Sequence, residues 1–201
     1  MLLDNQRYNG DMNILYVNGH PYAKSYNAAI EKSYIDGIDK QKHTVKRLDL
    51  GKLQFDPVLR YGYHEFMPED KDIKKSQGLI LWADHIVFAY PMWWGMMPSL
   101  MSGWIARVFV PRHSYRVLGM FKFEQLLKGK TADIIITARA PRFSWIYGMN
   151  SAQKPLTRNL FMYTGIKKRK LIILDWMDLP RDTEERRKKF LDKVAKISST
   201  L

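Results

Sequence analysis

Cysteine is absent from this 201-residue chain. Its absence excludes disulfide bonds, thiolate nucleophiles and cysteine-ligated metal sites, and it is compatible with an intracellular location. No apolar run approaches the roughly 20 residues of a membrane-spanning helix. The N-terminal sequence MLLDNQRYNGDMN also lacks the basic start and apolar run of a signal peptide. We therefore expect a cytoplasmic protein with no integral membrane segment.

Acidic residues are scarce, since 20 Asp and Glu face 33 Lys and Arg, which gives a net charge of +13. The electrostatic field of such a charge attracts anions such as phosphates, but it does not identify which anion binds. The basic residues are scattered, and we expect no nucleic-acid partner. The densest cluster, at residues 167–170, is interpreted as a turn before a strand rather than a nucleic-acid patch.

The length and the 46% hydrophobic composition fit one folded domain over residues 1–201, with residues 1–12 as an N-terminal extension. Apolar runs and alternation predict five strands, at residues 13–18, 43–48, 86–90, 131–137 and 170–175. Helical spacing predicts helices that start at Ser25, near Ile73, at Pro98 and near Asn150, with a last helix capped by Asp182. Residues 110–128 are predicted to form an insertion with a short helix around 124–127.

Alternating strands and helices favour a parallel sheet with helices on both faces. We predict an α/β fold of the flavodoxin-like, three-layer, doubly wound type with a five-stranded sheet in the order 2-1-3-4-5. In such sheets the ligand binds beyond the carboxyl ends of the strands, at the switch point between strands one and three.

Three loops at that edge carry the candidate residues. GHPYAKSYN, at 19–27, puts Ser25 at a helix N-terminus, where it serves either as a plain cap or as part of a phosphate cradle. YPMWWG, at 90–95, has two adjacent indoles, of which at least one should line a pocket. TARAP, at 137–141, leads to further aromatic residues that could stack over the same pocket or simply pack.

The chain resembles the NAD(P)H:quinone oxidoreductase family of flavodoxin-like flavoproteins in three segments: GHP…SYN after strand one, YPMWWGMMPSLMSGWIARVF after strand three and GKTADIIIT at strand four. The most specific segment is PMWWGMMPSLMSGWIARVF at 91–109, and the likeness runs from about Met12 to Thr164. The resemblance implies a flavin (FMN or FAD), a homodimer, and two-electron transfer as hydride from NAD(P)H to a quinone-like acceptor.

By the same resemblance, the flavin phosphate and ribityl chain would contact His20, Lys24, Ser25, Tyr26 and Asn27. The flavin ring would lie along Pro91, Met92, Trp93, Trp94 and Gly95, with Thr137, Ala138 and Arg139 on its pyrimidine side. The chain departs from better-known members because it lacks their Thr-Thr-Gly-Gly turn after strand four and has no histidine beyond His113. Trp145 and Tyr147 are the candidates for the acceptor pocket, and neither a catalytic side chain nor a metal ligand is assigned.

Three other functions are compatible with parts of the sequence. A regulatory flavoprotein subunit of an ion-transport system would share the fold and the flavin. A flavodoxin-type electron carrier should instead be acidic, with a hydroxyl-rich phosphate loop. A nucleic-acid-binding module should gather its basic residues on one face.

Overall fold

The computed structural model describes residues 10–62, 64–65, 67–68, 70–120, 122–141, 143–146 and 151–201, with only the backbone at 145 and 146. The strands are β1 Asn13–Asn18, β2 Thr44–Asp49, β3 His85–Met92, β4 Tyr115–Gly119, β5 Lys122–Gln125, β6 Thr131–Ala138 and β7 Lys167–Leu174. The helices are α1 Tyr26–Asp36, α2 Lys71–Trp82, α3 Ser99–Val108, α4 Phe143–Ile146, α5 Phe161–Thr164 and α6 Glu184–Ser198. A 3-10 turn at Leu50–Lys52 and a π-helix at Pro155–Leu160 complete the regular structure.

The main sheet has five parallel strands in the order β2-β1-β3-β6-β7. This order confirms the predicted 2-1-3-4-5 arrangement, because β6 and β7 are the fourth and fifth strands of that sheet. One face, covered by α1 and α6, buries residues such as Tyr16, Val87, Ile30 and Val194. The opposite face, covered by α2 and α3, buries residues such as Leu15, Phe88, Ile80 and Trp104.

The insertion after α3 forms a two-stranded antiparallel hairpin of β4 and β5, so the short helix predicted at 124–127 is wrong. One face of the hairpin packs against the rest of the chain, which explains why these residues form strands. Tyr115 and Phe123 point to one side and contact the ring of Tyr163, with ring centroids 5.6 and 4.7 Å away. The apolar side chains near the turn of the hairpin are instead exposed: Val117, Leu118 and Met120.

The basic cluster at 167–170 lies inside β7 rather than in a turn before it, which corrects the prediction. A bulge opposite Ala132 and Asp133 shifts the register by one residue. The shift turns Arg169 inward, where its Nε donates to Asp133 at 2.9 Å. The neighbouring lysines stay exposed on this edge strand, where charge discourages pairing with another chain.

Two helix ends also differ from the prediction. The cap of α6 is Thr183, whose hydroxyl accepts from Arg186 N at 3.2 Å, rather than Asp182. The helix predicted from 150 is, within the described residues, a π-helical turn that begins after Lys154 and continues into α5. No helix of the described ranges is both long and apolar enough to cross a membrane.

Candidate functional site

The carboxyl ends of β1, β3 and β6 meet at one edge of the sheet. Asn18, the last residue of β1, lies beside Ala89 in the register of the sheet. Pro91 and Met92 at the end of β3 lie beside Thr137 and Ala138 of β6. The three loops predicted to form the site therefore start next to one another.

The loop after β1 turns sharply at Gly19. A Cβ at this position would lie 3.0 Å from Met101 Sδ and 3.1 Å from Tyr90 Cβ, so a larger residue would force the packing apart. Gly19 N donates to Ala89 O at 2.8 Å, which attaches the start of the loop to β3. Glycine is needed here for close approach, and the loop is consequently pressed against the strand that carries the two tryptophans.

Ser25 stands at the N-terminus of α1 in an extended conformation suited to capping, with φ −75° and ψ 163°. Its side chain caps nothing, and its Oγ is buried with no hydrogen-bond partner among the described residues. Buried hydroxyls are normally satisfied, and the first N–H groups of a helix attract anions. The first turn also carries no acidic residue. A phosphate oxygen would satisfy the hydroxyl and the helix N-terminus together, so these residues fit the phosphate of a flavin.

The remaining predicted residues of this loop differ in how they are placed. His20 Nδ1 accepts from Tyr22 N at 3.0 Å, and partial burial lowers the pKa of His20. Lys24 is exposed. Asn27 is buried, and its Oδ1 accepts from Thr137 Oγ1 at 3.1 Å. This last bond joins the first turn of α1 directly to the end of β6.

Tyr26 is held against α6. Its hydroxyl donates to Arg187 O at 2.8 Å, and the Arg187 guanidinium lies 5.2 Å from the centre of its ring. Burial raises the pKa of Tyr26 to about 12, although the charge of Arg187 opposes the shift. The hydroxyl is thus already engaged, and Tyr26 can approach a phosphate through its backbone N–H.

Trp93 to Met96 form a tight hairpin turn. Trp93 N donates to Met96 O at 3.0 Å and Met96 N donates to Trp93 O at 2.9 Å. The central residues, Trp94 and Gly95, have φ values of 53° and 75°, which is the geometry of a type I′ turn. Tryptophan is rarely found in this left-handed region.

The turn displays its indoles to different degrees. Trp94 is 96% exposed and Trp93 46% exposed. The Trp93 ring also contacts the ring of His20 edge-on, with centroids 5.6 Å apart. The loop after β3 and the loop after β1 are therefore in contact, as the predicted site requires. Pro91 and Met92, by contrast, are buried at the end of β3.

The remaining predicted cofactor residues lie at the end of β6 and directly after it. Thr137 and Ala138 are buried, and Arg139 is exposed. Ala138 O accepts from Met177 N at 3.0 Å. Trp145 lies in α4, but its side chain, like all of Tyr147, is outside the described residues. The predicted acceptor pocket at these two residues therefore stays a prediction.

Sequence reasoning missed the loop after β7. Through Met177 this loop adjoins Ala138 at the same edge of the sheet. Its residues Trp176 and Asp178 both have positive φ, of 60° and 57°, and Arg181 lies 4.9 Å from the Trp176 ring centre. The signal available in the sequence was the topology, since the fifth parallel strand must end at the same edge as the other four.

A cavity of ≈ 230 Å³ lies behind the tryptophan hairpin. It is lined by residues 95–97, by Ser102 and Ile105 of α3, and by Ser151, Ala152 and Pro155. Its walls are largely apolar. Within the described part of the chain, no group of three or more His, Asp or Glu side chains could hold a metal ion.

Comparisons with known proteins agree with this architecture. A family model described as "Flavodoxin-like fold" matches residues 12–197. The crystal structure of Smu.1420 from Streptococcus mutans UA159 is 33% identical, with a TM-score of 0.83, and the match covers 94% of this chain and 100% of that one.

Two curated relatives are more distant. One, from Penicillium crustosum, is described as a ribosyldihydronicotinamide dehydrogenase-like protein and is 28% identical over 63% of this chain. The other, from Mus musculus, is named ribosyldihydronicotinamide dehydrogenase [quinone] and is 28% identical over 62% of this chain. The chain spans 57% and 62% of the lengths of these two relatives. The chain belongs to the flavodoxin-like fold family, and its quinone-dehydrogenase relatives confirm the resemblance to the quinone oxidoreductases of that fold.

Proposed function

We propose that the protein is a flavin-dependent oxidoreductase that transfers two electrons, as a hydride, from NAD(P)H through FMN or FAD to a quinone-like acceptor. The observation that carries the proposal is the meeting of three loops at one edge of the sheet. Ser25 ends the loop after β1, Trp93 begins the loop after β3, and Thr137 lies near the end of β6. The His20–Trp93 ring contact and the Asn27–Thr137 hydrogen bond connect these segments. The names of the curated relatives support a reduced nicotinamide donor and a quinone acceptor.

The phosphate would be held at the N-terminus of α1. The unpartnered hydroxyl of Ser25 and the free N–H groups of the first turn offer donors, and the helix dipole favours negative charge there. His20 and Lys24 add donors from the same loop, and Lys24 brings a positive charge. The net charge of +13 raises the local concentration of phosphorylated cofactors and donors.

The ring would lie along the tryptophan turn and the loop at 137–139. Neither Trp94 N nor Gly95 N donates a hydrogen bond among the described residues, which leaves these two N–H groups for a ligand. The exposed Trp94 indole offers a broad apolar face for stacking. When bound, the flavin supplies the redox chemistry, taking hydride from the nicotinamide and delivering it to the acceptor. The chain orients the ring and excludes water from one side of it.

We also propose that the protein is a cytoplasmic homodimer. The support for the dimer is the apolar surface that one chain leaves exposed on the hairpin of β4 and β5. A second copy that covers these side chains would remove them from water. Large exposed apolar patches commonly mark such contacts between proteins.

An absorbance spectrum and a reduction assay test the function. The purified protein, or the protein incubated with FMN or FAD and desalted, should show flavin bands that bleach with NADPH or NADH without oxygen and return when a quinone is added. A protein that stays colourless after incubation with either flavin contradicts the proposal. Bands that no nicotinamide bleaches would leave a flavin-binding protein without the proposed activity.

A further inference from the structure

The second turn of α1 contains a buried carboxylate that the proposed site does not use. Glu31 is 3% exposed and accepts hydrogen bonds from Asn18 Nδ2 at 3.0 Å and from Arg47 Nε. The bond with Glu31 raises the pKa of Arg47. Burying a carboxylate without donors is costly, so these two side chains account for its presence.

Asn18 transmits the charge of Glu31 to the backbone. A carboxylate only accepts hydrogen bonds, and an amide side chain has one donating and one accepting end. The NH₂ group of Asn18 must therefore face Glu31, and its oxygen must face away. That oxygen, Oδ1, accepts from His20 N at 3.1 Å.

From His20 the hydrogen bonds continue along the loop. Tyr22 N donates to His20 Nδ1 at 3.0 Å, and Ser25 N donates to Tyr22 O at 3.2 Å. One unbroken series thus runs from the buried carboxylate to the N-terminus of α1. The direction of the series can change at Asn18, whose amide has a donating and an accepting end, whereas the backbone N–H groups of His20, Tyr22 and Ser25 only donate.

We propose that Glu31 is a positioning residue: its negative charge fixes the orientation of Asn18, and Asn18 holds residues 19–25 in the conformation that receives a phosphate. The reception of a phosphate rests on the proposed function, whereas the effect of Glu31 on the orientation of Asn18 does not. A loop fixed in advance loses less conformational entropy when the ligand binds, which strengthens binding.

The isosteric variant Glu31→Gln should reverse the side-chain amide of Asn18. The donors of Arg47 would take the single oxygen of the new amide and leave its NH₂ group facing Asn18. Asn18 would then turn its oxygen inward and present its own NH₂ group to His20 N–H, where two donors cannot bond. Removing the competing donors with Arg47→Met should free the oxygen of Gln for Asn18 and restore the original direction.

Hydrogen exchange of single backbone amides, followed by NMR on the full chain without flavin, tests this directly. The His20 amide should exchange about tenfold faster in Glu31→Gln, as the loss of one hydrogen bond of about 1.4 kcal/mol implies. The Val87 amide in the central strand reports any change in global stability. Relative to Val87, the His20 rate should return close to the wild-type value in Glu31→Gln/Arg47→Met. Glu185→Gln, which alters an exposed carboxylate on α6, serves as the control and should change neither rate.

Equal acceleration at His20 and Val87 would mean that Glu31 acts on general stability alone, and it would overturn the proposal, as would a double variant that shows no recovery. FMN titrations of the same proteins test whether the loop at 19–25 receives a phosphate. The affinity for FMN is expected to fall about tenfold in Glu31→Gln and to recover in the double variant. If the wild-type chain bound no flavin, the proposed function would fail while the exchange rates still decided the role of Glu31. Wild-type flavin binding with unchanged His20 exchange in Glu31→Gln would reject the positioning role alone.

Discussion

Ser25 and Trp94 are both placed against the usual preferences of their residue types. A capping serine ordinarily bonds the first turn of its helix, and an exposed turn ordinarily places Asn or Gly at φ values near +55°. Here the hydroxyl of Ser25 has no partner among the described residues, and a tryptophan occupies the left-handed position. Residues that break local rules without a structural benefit are expected at binding sites.

Ser25→Asp separates capping from phosphate binding. Aspartate is a good N-cap, so the flavin-free variant should unfold at the same or a higher temperature. Its negative charge would stand where the phosphate binds, and FMN affinity should fall about a hundredfold or more. Thermal unfolding and fluorescence titration measure the two effects.

Ser33→Ala is the matched control, because the Ser33 hydroxyl donates to Leu191 O at 2.7 Å. It should lower the free energy of unfolding by about 1 kcal/mol and leave FMN affinity unchanged. Full FMN affinity in Ser25→Asp would contradict the phosphate site at α1.

Trp94→Asn tests the strained turn. Asn followed by Gly is the preferred pair for a type I′ turn, so the variant should gain about 0.5–1 kcal/mol of stability. The loss of the indole should weaken flavin retention at the same time. Denaturant unfolding and the flavin content after desalting are the measurements.

Trp104→Ala should show the reverse pattern, since Trp104 is fully buried and its Nε1 donates to Ser76 Oγ at 3.1 Å. A loss of about 3–5 kcal/mol is expected. Equal flavin retention in wild type and Trp94→Asn would contradict a role of the Trp94 indole in flavin binding.

The strands of the main sheet were predictable, whereas the hairpin and several element ends were not. β1 and β6 each contain an apolar run that is buried on both faces of the sheet, and such runs are recognisable in the sequence. The order of the strands followed from the alternation of strands with helices and from the number of strands. The hairpin has weak alternation, and its one packed face depends on Tyr163, which is distant in sequence. The bulge that turns Arg169 inward likewise depends on Asp133 in the neighbouring strand.

The same division applies to the site. Its location and the three loops followed from topology and from the resemblance. The type I′ turn, the engaged hydroxyl of Tyr26 and the role of Glu31 required coordinates, because each depends on contacts between separate elements.

The exposed end of the β4–β5 hairpin is the part of the chain that best tests the proposed homodimer. Replacing Val117, Leu118 and Met120 with serine should leave the hairpin folded, because these side chains are between 57% and 85% exposed. It should weaken dimer association, since their burial between subunits would no longer be favourable. Sedimentation equilibrium over a range of concentrations measures the change. A monomeric wild-type chain, or a variant that dimerises as tightly as wild type, would reject this role for the hairpin.

Far from the site, one buried polar network connects both sides of the sheet's fourth strand to the helices of one face. Asp133 accepts from Tyr34 of α1 at 2.7 Å and from Arg169 of β7, and Arg169 also donates to Ile197 O of α6 at 3.1 Å. His85 lies 3.2 Å from the Tyr34 hydroxyl and 2.7 Å from Thr131 Oγ1. Burial acts to raise the pKa of Asp133, but the neighbouring His85 and the hydrogen bonds from Arg169 prevail and hold it well below its usual range.

This network predicts how stability depends on pH. Burial lowers the pKa of His85, although Asp133 opposes the shift. Because the unfolded chain then binds a proton more readily than the folded one, stability should be constant above the ordinary histidine pKa of about 6.5 and fall below it. Asp133, with its depressed pKa, adds a further loss only at pH values below about 4. Urea unfolding between pH 5 and pH 7.5 should therefore show a slope that is shallower in His85→Gln, even though that variant is less stable throughout. An unchanged slope in His85→Gln would show that His85 is not the group responsible.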